Sequence, residues 1–385
     1  MDQARQVTLV RSAQSIQAAD RLPSNKGRAS RVHALIDAFG LNTHMEIVAP
    51  EPMPDSSLME FHSEEYIACL FAAANGTCLS HTSQDYDKDN GIDEELELEQ
   101  FGLVHDCAVF SGMEEHVRYA AGGTVAGANA LVRGSTDVAI HWEGGRHHCR
   151  RGKAAGFCYI NDVVLGILAL QTRFRRILYV DFDLHHGDGV QSAFQYSDRV
   201  MTLSIHHHDR GFYPNSGGSY DEGKGRGIGH SINIPLRRGA DDDTFLRVFS
   251  AVSTSILATF APLAVAVQCG CDGLAGDPHK VFNLTTEAFA RSVKTVLGWR
   301  LPTLLLGGGG YNLPDSARCW TRLTGVACGR DIPAAADVPG HRFLDEYSPA
   351  FDMATDATSM FNANDGETID AAALAIKHIL ESQSR

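Results

Sequence analysis

Five short apolar runs, Val138–Trp142, Ile177–Asp183, Val200–Ile205, Leu263–Gln268 and Thr303–Leu306, punctuate the middle and later parts of this chain. Each is apolar and of strand length, which predicts buried strands. Between several of them lie stretches of helical period, Asn161–Thr172, Asp243–Phe260 and Thr285–Gly298. Strand and helix in alternation predict an α/β fold, with a mostly parallel sheet covered by helices on both faces. Upstream, Ser30–Phe39, Glu64–Ala74 and Glu115–Val132 predict a mainly helical N-terminal part. The acidic segment Asp85–Glu99 has few core-forming residues and predicts a solvated loop leading into a helix. The tail beyond Ser348 is weakly patterned until a final predicted helix near Asp370–Ser382. No repeat and no Pro/Ser-rich linker divides the sequence, so a single domain over residues 1–385 is expected.

Composition narrows the function. A hydrophobic fraction of 44% supports a large core, and the net charge of −14 argues against direct nucleic-acid binding. The same charge suits a cationic ligand such as a lysine-rich peptide. The nine cysteines are scattered and never spaced as CxxC, which predicts reduced thiols in an intracellular protein. The start, MDQARQVTLVRSAQ, lacks the apolar core of a signal peptide, and no run is long and apolar enough for a membrane span. The sequon at Asn283 is read as incidental, with Thr285 placed to cap the following helix.

In parallel sheets ligands collect beyond the carboxyl ends of the strands, and that is where the polar residues gather. Read as one strand, Asp181, Asp183 and His185 are two apart and project to one face. Carboxylates and an imidazole in apolar surroundings call for a compensating cation. With Asp272, which follows the apolar run ending at Gln268, Asp183 and His185 make a ligand set for zinc or another first-row divalent ion. Position 187 is glycine where a second metal would need a carboxylate, which favours a mononuclear site. Asp181 and Asp188 remain to support the imidazoles of His147 and His148, the equipment for moving protons during amide hydrolysis. Tyr311, after four glycines, is a candidate oxyanion donor on a mobile hinge. The glycine-rich run Gly223–Gly229 matches no phosphate-loop spacing, and it and His206–His208 are read as loops.

The motifs WEGGRHHCRRGKAAGFCYINDVVLGI, ILYVDFDLHHGDGV, QCGCDGLAGDP and LLLGGGGYN, in this order, resemble the zinc-dependent histone deacetylases. The resemblance is to class I, with Asp277-Pro278 more like isozyme eight than the nuclear-complex isozymes, and runs from about Arg28 to Gly329. It implies a single-domain arginase-like fold and hydrolysis of Nε-acetyl-lysine in histones or other proteins; no basic localisation cluster stands out, so nucleus, cytoplasm or both are expected as residence. It implies that Asp183, His185 and Asp272 bind zinc, with ferrous iron also admitted by the ligand set. His147 and His148 would transfer protons, backed by Asp181 and Asp188, with Tyr311 assisting the carbonyl. Gly156, Phe157 and Tyr213 would line a tube around the lysine stem, with His279 and Gly309 also contacting substrate and Asp106 holding its backbone. Arg28 would sit in an internal channel. Structural potassium would bind through Asp181, Asp183, His185, Ser204 and Ile205, and at an outer site near Phe194 and Val200.

Departures from the family pattern are expected near the entrance: Tyr213, His279, His105, and Glu143 and Arg146. Two other readings are weighed. A deacetylase of small acetylated polyamines would need a rim carboxylate, for which Glu143 is the candidate. A non-catalytic acetyl-lysine-binding scaffold would have lost a ligand or Tyr311, and none is lost. The short tail offers no evident corepressor-binding extension, so a stand-alone enzyme is expected.

Overall fold

The computed structural model describes residues 5–76 and 91–366. Residues 85–90 of the expected acidic loop, Cys78 and the expected helix near Asp370–Ser382 lie outside the described residues.

Eight strands form one sheet: β1 Val7–Val10, β2 Glu46–Val48, β3 Val138–His141, β4 Ile177–Asp181, β5 Val200–His207, β6 Ser231–Leu236, β7 Ala264–Gln268 and β8 Thr303–Leu306. Their order is β2-β1-β3-β8-β7-β4-β5-β6, and every pairing is parallel. The expected architecture holds. Both faces are apolar, and the side chains divide between them with period two. Leu178, Val180, Val265, Val267 and Leu305 join one core, with helices such as Asp242–Thr259 and Thr286–Gly298. Ile177, Tyr179, Ala266, Leu304 and Leu306 join the other, under helices Met113–Arg133 and Asp162–Gln171.

Three strands were not expected. β1 is four residues long, β2 is a three-residue edge strand with an exposed face, and β6 contains Pro235. Proline is tolerated in β6 because that strand is the sheet's other edge. The N-terminal part is therefore not purely helical. Helix Leu313–Ala327 was also missed, because Arg318 and Arg322 interrupt its apolar pattern. Both arginines are buried with partners: Arg318 donates to Asp315 and to the Asp352 carbonyl, and Arg322 to Thr286 and Glu287.

The expected loop at His206–His208 is corrected, since β5 runs through His207. His206 is fully buried; its Nδ1 lies 2.9 Å from Ser204 Oγ and its Nε2 2.9 Å from the Gly217 carbonyl. Imidazoles with a partner at both nitrogens fit a strand interior, which a polarity pattern cannot show. Thr285 does cap helix Thr286–Gly298, accepting from Glu287 N. The described cysteines are all free thiols, and no described helix is long and apolar enough to cross a membrane.

Register decides where the site lies. Asp181 pairs with Ser204 on one side and Gln268 on the other, Gln268 with Leu306, and Leu306 with His141. Five adjacent strands thus deliver their following loops to one rim.

Candidate active site and metal centre

β4 stops at Asp181, so Asp183 and His185 do not share a strand face with it, contrary to expectation. They converge for a different reason: carboxylates fold the chain back by accepting backbone N–H groups. Asp181 Oδ1 accepts from Asp183 N at 3.1 Å, Asp183 Oδ1 from His185 N at 3.1 Å, and Asp272 Oδ1 from Leu184 N at 2.8 Å. Asp183 Oδ2 also accepts from Gln268 Nε2 at 2.7 Å and Gly309 N at 2.8 Å. Gly270 is obligatory beside it, since a Cβ there would fall 2.0 Å from Asp183 Oδ2.

The outcome is a buried trio. Ligand atoms of Asp183, His185 and Asp272 all lie within 4.8 Å of one another, the one such cluster among the described residues. His185 Nδ1 lies 2.9 Å from Asp272 Oδ2 and 3.3 Å from Asp183 Oδ1. Burial and the Asp183 charge push Asp272 up to about 6. Despite its own burial, Asp183 is held well below the carboxylate range by His147 and His185. Two buried acids converging on one imidazole are a donor set that fits a divalent cation. Position 187 leaves no room for another acid, because a Cβ on Gly187 would lie 2.1 Å from Asp181 Oδ2.

The loop after β3 carries the two histidines. Asp162 pins it, accepting from Gly145 N at 2.9 Å and Arg146 N at 2.7 Å. His147 Nδ1 lies 2.7 Å from Asp181 Oδ2, and His148 Nδ1 lies 2.8 Å from Asp188 Oδ1. The two rings are 3.9 Å apart. Their environments diverge. Burial lowers His147, but Asp181 and Asp183 outweigh it and hold the imidazole near 9. His148 is drawn down to about 4 by burial and the adjacent His147 charge. Neighbouring groups with separated protonation are the pattern of an acid and a base.

Tyr311 is held from below: its N–H donates to Asp277 Oδ2 at 2.8 Å, and Arg28 Nη1 holds the Gly310 carbonyl at 2.7 Å. Gly308 and Gly310 have φ of 155° and 132°, so the glycines are needed for the backbone path. Burial raises the Tyr311 hydroxyl well above its ordinary value, keeping it a donor.

A cavity of about 450 Å³ reaches these groups, lined by His105, Asp106, His148, Gly156, Phe157, His185, Tyr213, His279 and Tyr311. Phe157 and Tyr213 are aromatic walls; Tyr213 stands edge-on to His148, with ring centroids 4.9 Å apart. Asp106 Oδ2 accepts from Gly156 N at 2.7 Å, and His279 Nδ1 lies 2.8 Å from Asp277 Oδ1.

Two expected rim residues are not there. Glu143 and Arg146 are 4% and 5% exposed and face the interior. Glu143 is hydrogen-bonded to His33, which removes the candidate for a cation-selecting rim carboxylate. Sequence reasoning also passed over Asp162, Gln268 and Tyr179, whose hydroxyl donates to Asp181 Oδ2 at 2.6 Å. For Asp162 the signal was present, as an acid opening an apolar helix in the segment that follows His148. Asp277 had been noted only for its likeness, not as the support of both Tyr311 and His279.

Comparison with known proteins agrees with this architecture. Residues 22–327 match the histone deacetylase domain family. Histone deacetylase 8 of Danio rerio is 39% identical over 378 residues, covering 98% of this chain and 96% of the relative. The Xenopus tropicalis histone deacetylase 8 is 37% identical over 378 residues, 98% of each chain. Human histone deacetylase 1 is 37% identical over 348 residues, 90% of this chain and 69% of the relative. The chain is a class I member of the histone deacetylase family, similar to histone deacetylase 8 along nearly its whole length.

Proposed function

We propose that this protein hydrolyses Nε-acetyl-lysine in histones or other proteins, with Asp183, His185 and Asp272 holding zinc; ferrous iron also suits these ligands. The observation that carries the reading is the meeting of this trio with two carboxylate-backed imidazoles, with His148 and His185 of these groups lining one cavity. When bound, the metal would lower the pKa of water towards about 7 and polarise the amide carbonyl. The residues supply the rest. Phe157 and Tyr213 enclose the lysine stem over Gly156, Gly309 backs the site through its bond to Asp183, and Asp106 and His279 meet the substrate at the rim. His147 and His148 carry protons: one imidazole takes a proton from the attacking water, and a proton passes to the departing amine. Asp181 and Asp188 keep each ring's Nδ1 engaged, which fixes the tautomer and raises basicity. Tyr311 donates its hydroxyl to the developing oxyanion. Arg28, buried beyond Gly310, lies on the internal side where the small acid product would pass.

In the same reading structural potassium would bind beside β4 through Asp181, Asp183, His185, Ser204 and Ile205, Asp181 and Ser204 being register partners, with an outer ion near Phe194 and Val200. Nuclear or cytoplasmic residence belongs to the same proposal. Polyamine selectivity is the weaker alternative, because Glu143 is occupied by His33 in the interior.

The deciding assay compares metal-loaded protein on an acetyl-lysine peptide and on an acetylpolyamine, with a His148→Ala variant alongside. Turnover of the peptide, and its collapse in the variant, is expected. Equal turnover by wild type and variant would refute the roles assigned.

A further inference from the structure

Among the described residues, two guanidinium groups next to residues of the site are buried without an ionic partner. Arg28 and Arg146 are 3% and 5% exposed. Among the described residues, Arg28 donates to the Gly310 carbonyl and lies 4.5 Å over the Trp320 ring, and Arg146 donates to the Glu143 carbonyl at 3.2 Å. Among the described residues neither makes an ion pair, and Arg146 Nε is buried with no hydrogen-bond partner. The Glu143 carboxylate is engaged by His33 instead. An unpaired cation taken out of water is expensive, and two near each other are more so.

Their surroundings share one positive field. Burial and then Arg146 and Arg28 hold the His116 imidazole down at about 3, and its Nδ1 is likewise partnerless. Burial and then Arg146 lower Arg28 itself, which remains charged at neutral pH. Both arginines are tied to residues of the reaction. Arg146 immediately precedes His147, and Arg28 holds the carbonyl immediately before Tyr311.

This inference rests on the function proposed above. If the amine side of the scissile amide runs outward between Phe157 and Tyr213, the acyl substituent points inward, towards Gly310 and the loop that carries Arg146. An acetyl group carries no charge to pair with either guanidinium. We propose that Arg28 and Arg146 form an anion subsite for the terminal carboxylate of a dicarboxylic acyl group, so that succinyl-type acyl-lysines are substrates of the same centre. Water adds its oxygen to the acyl carbon, the C–N bond breaks, and the amine leaves with a proton, giving lysine and a dicarboxylate. Guanidinium groups suit carboxylates because both are planar and form paired, charge-assisted hydrogen bonds.

The test compares kcat/KM of the metal-loaded enzyme on peptides carrying acetyl-, succinyl- and succinamoyl-lysine, the last an uncharged isostere. Wild type should prefer succinyl over succinamoyl by about tenfold or more, as expected when a charge-assisted contact is lost. Arg146→Met should erase that preference and Arg146→Lys should restore part of it. A binding readout stands beside activity: succinate should raise the Tm of wild type more than chloride or acetate does, and the excess should vanish in Arg146→Met. Hydrolysis of acetyl-lysine with no preference for succinyl, or equal stabilisation by chloride, would overturn the subsite and leave the deacetylase reading standing. Hydrolysis of none of the peptides would overturn both.

Discussion

Asp188 holds His148 through a 2.8 Å contact between its Oδ1 and the imidazole Nδ1, while its Oδ2 is bridged at 2.7 Å by Arg150. The carboxylate is thus anchored from outside and aimed from within. Replacing Asp188 with Asn keeps the shape and removes the charge that sets the tautomer. The expected result is a fall in kcat of about 10- to 100-fold with KM little changed, the usual cost of losing such a support. Unchanged kcat in steady-state assays would remove Asp188 from the mechanism.

Asp272 belongs to the trio and also holds the Leu184 N–H, so it acts on ligand geometry and backbone together. Asp272→Asn should weaken metal retention by at least about tenfold, measured by metal content after dialysis against a graded chelator series. Exhaustive chelation of the wild type should abolish turnover, and zinc should restore it. Full activity in chelated protein would contradict the centre.

Tyr311 makes its backbone bond to Asp277 independently of its hydroxyl. Tyr311→Phe should therefore fold normally and lose about 10²- to 10³-fold in kcat, the range for removing one oxyanion donor. A loss seen mainly in KM would instead mark Tyr311 as a wall of the binding tube.

Acid should destabilise the fold well before the carboxylates titrate. Burial lowers His62 to about 4 and His116 to about 3, so both are neutral when folded. The unfolded chain binds these protons near pH 6.5, hence it holds more protons than the native state below that pH. Stability should fall as pH drops from about 6.5 towards 3. Glu143 adds a second loss at lower pH: with burial outweighed by His33, its pKa is about 2, so its contribution is present above about 4.5 and disappears on descent to 2. Urea unfolding between pH 7 and 5 checks the first part, and His116→Gln should flatten the slope. A flat profile in the wild type would refute it.

Glu143→Gln separates interior from rim. It should leave the ratio of peptide to acetylpolyamine turnover unchanged and lower the urea midpoint, because it removes the carboxylate charge beside buried His33. A shift in substrate ratio without loss of stability would return Glu143 to the entrance.

The central strands, the parallel sheet and the chemistry-bearing residues were legible in the sequence, because apolar strand-length runs and the residues at their carboxyl ends are local signals. His147, His148, Asp183, His185, Asp272 and Tyr311 could all be named on that basis. How they meet was not legible: Asp183 is oriented by Gln268 and Gly309, from two other strand ends, and Tyr311 by Asp277 and Arg28. Nor could local polarity distinguish a surface charge from a buried one. Glu143, Arg146 and His206 look like loop residues by type, yet lie inside because His33, the Glu143 carbonyl and Ser204 with Gly217 supply hydrogen bonds there. The chain alone determined which groups are available and at which edge of the sheet; the tertiary structure decided which of them face one another, since burial of a polar group depends on partners distant in sequence.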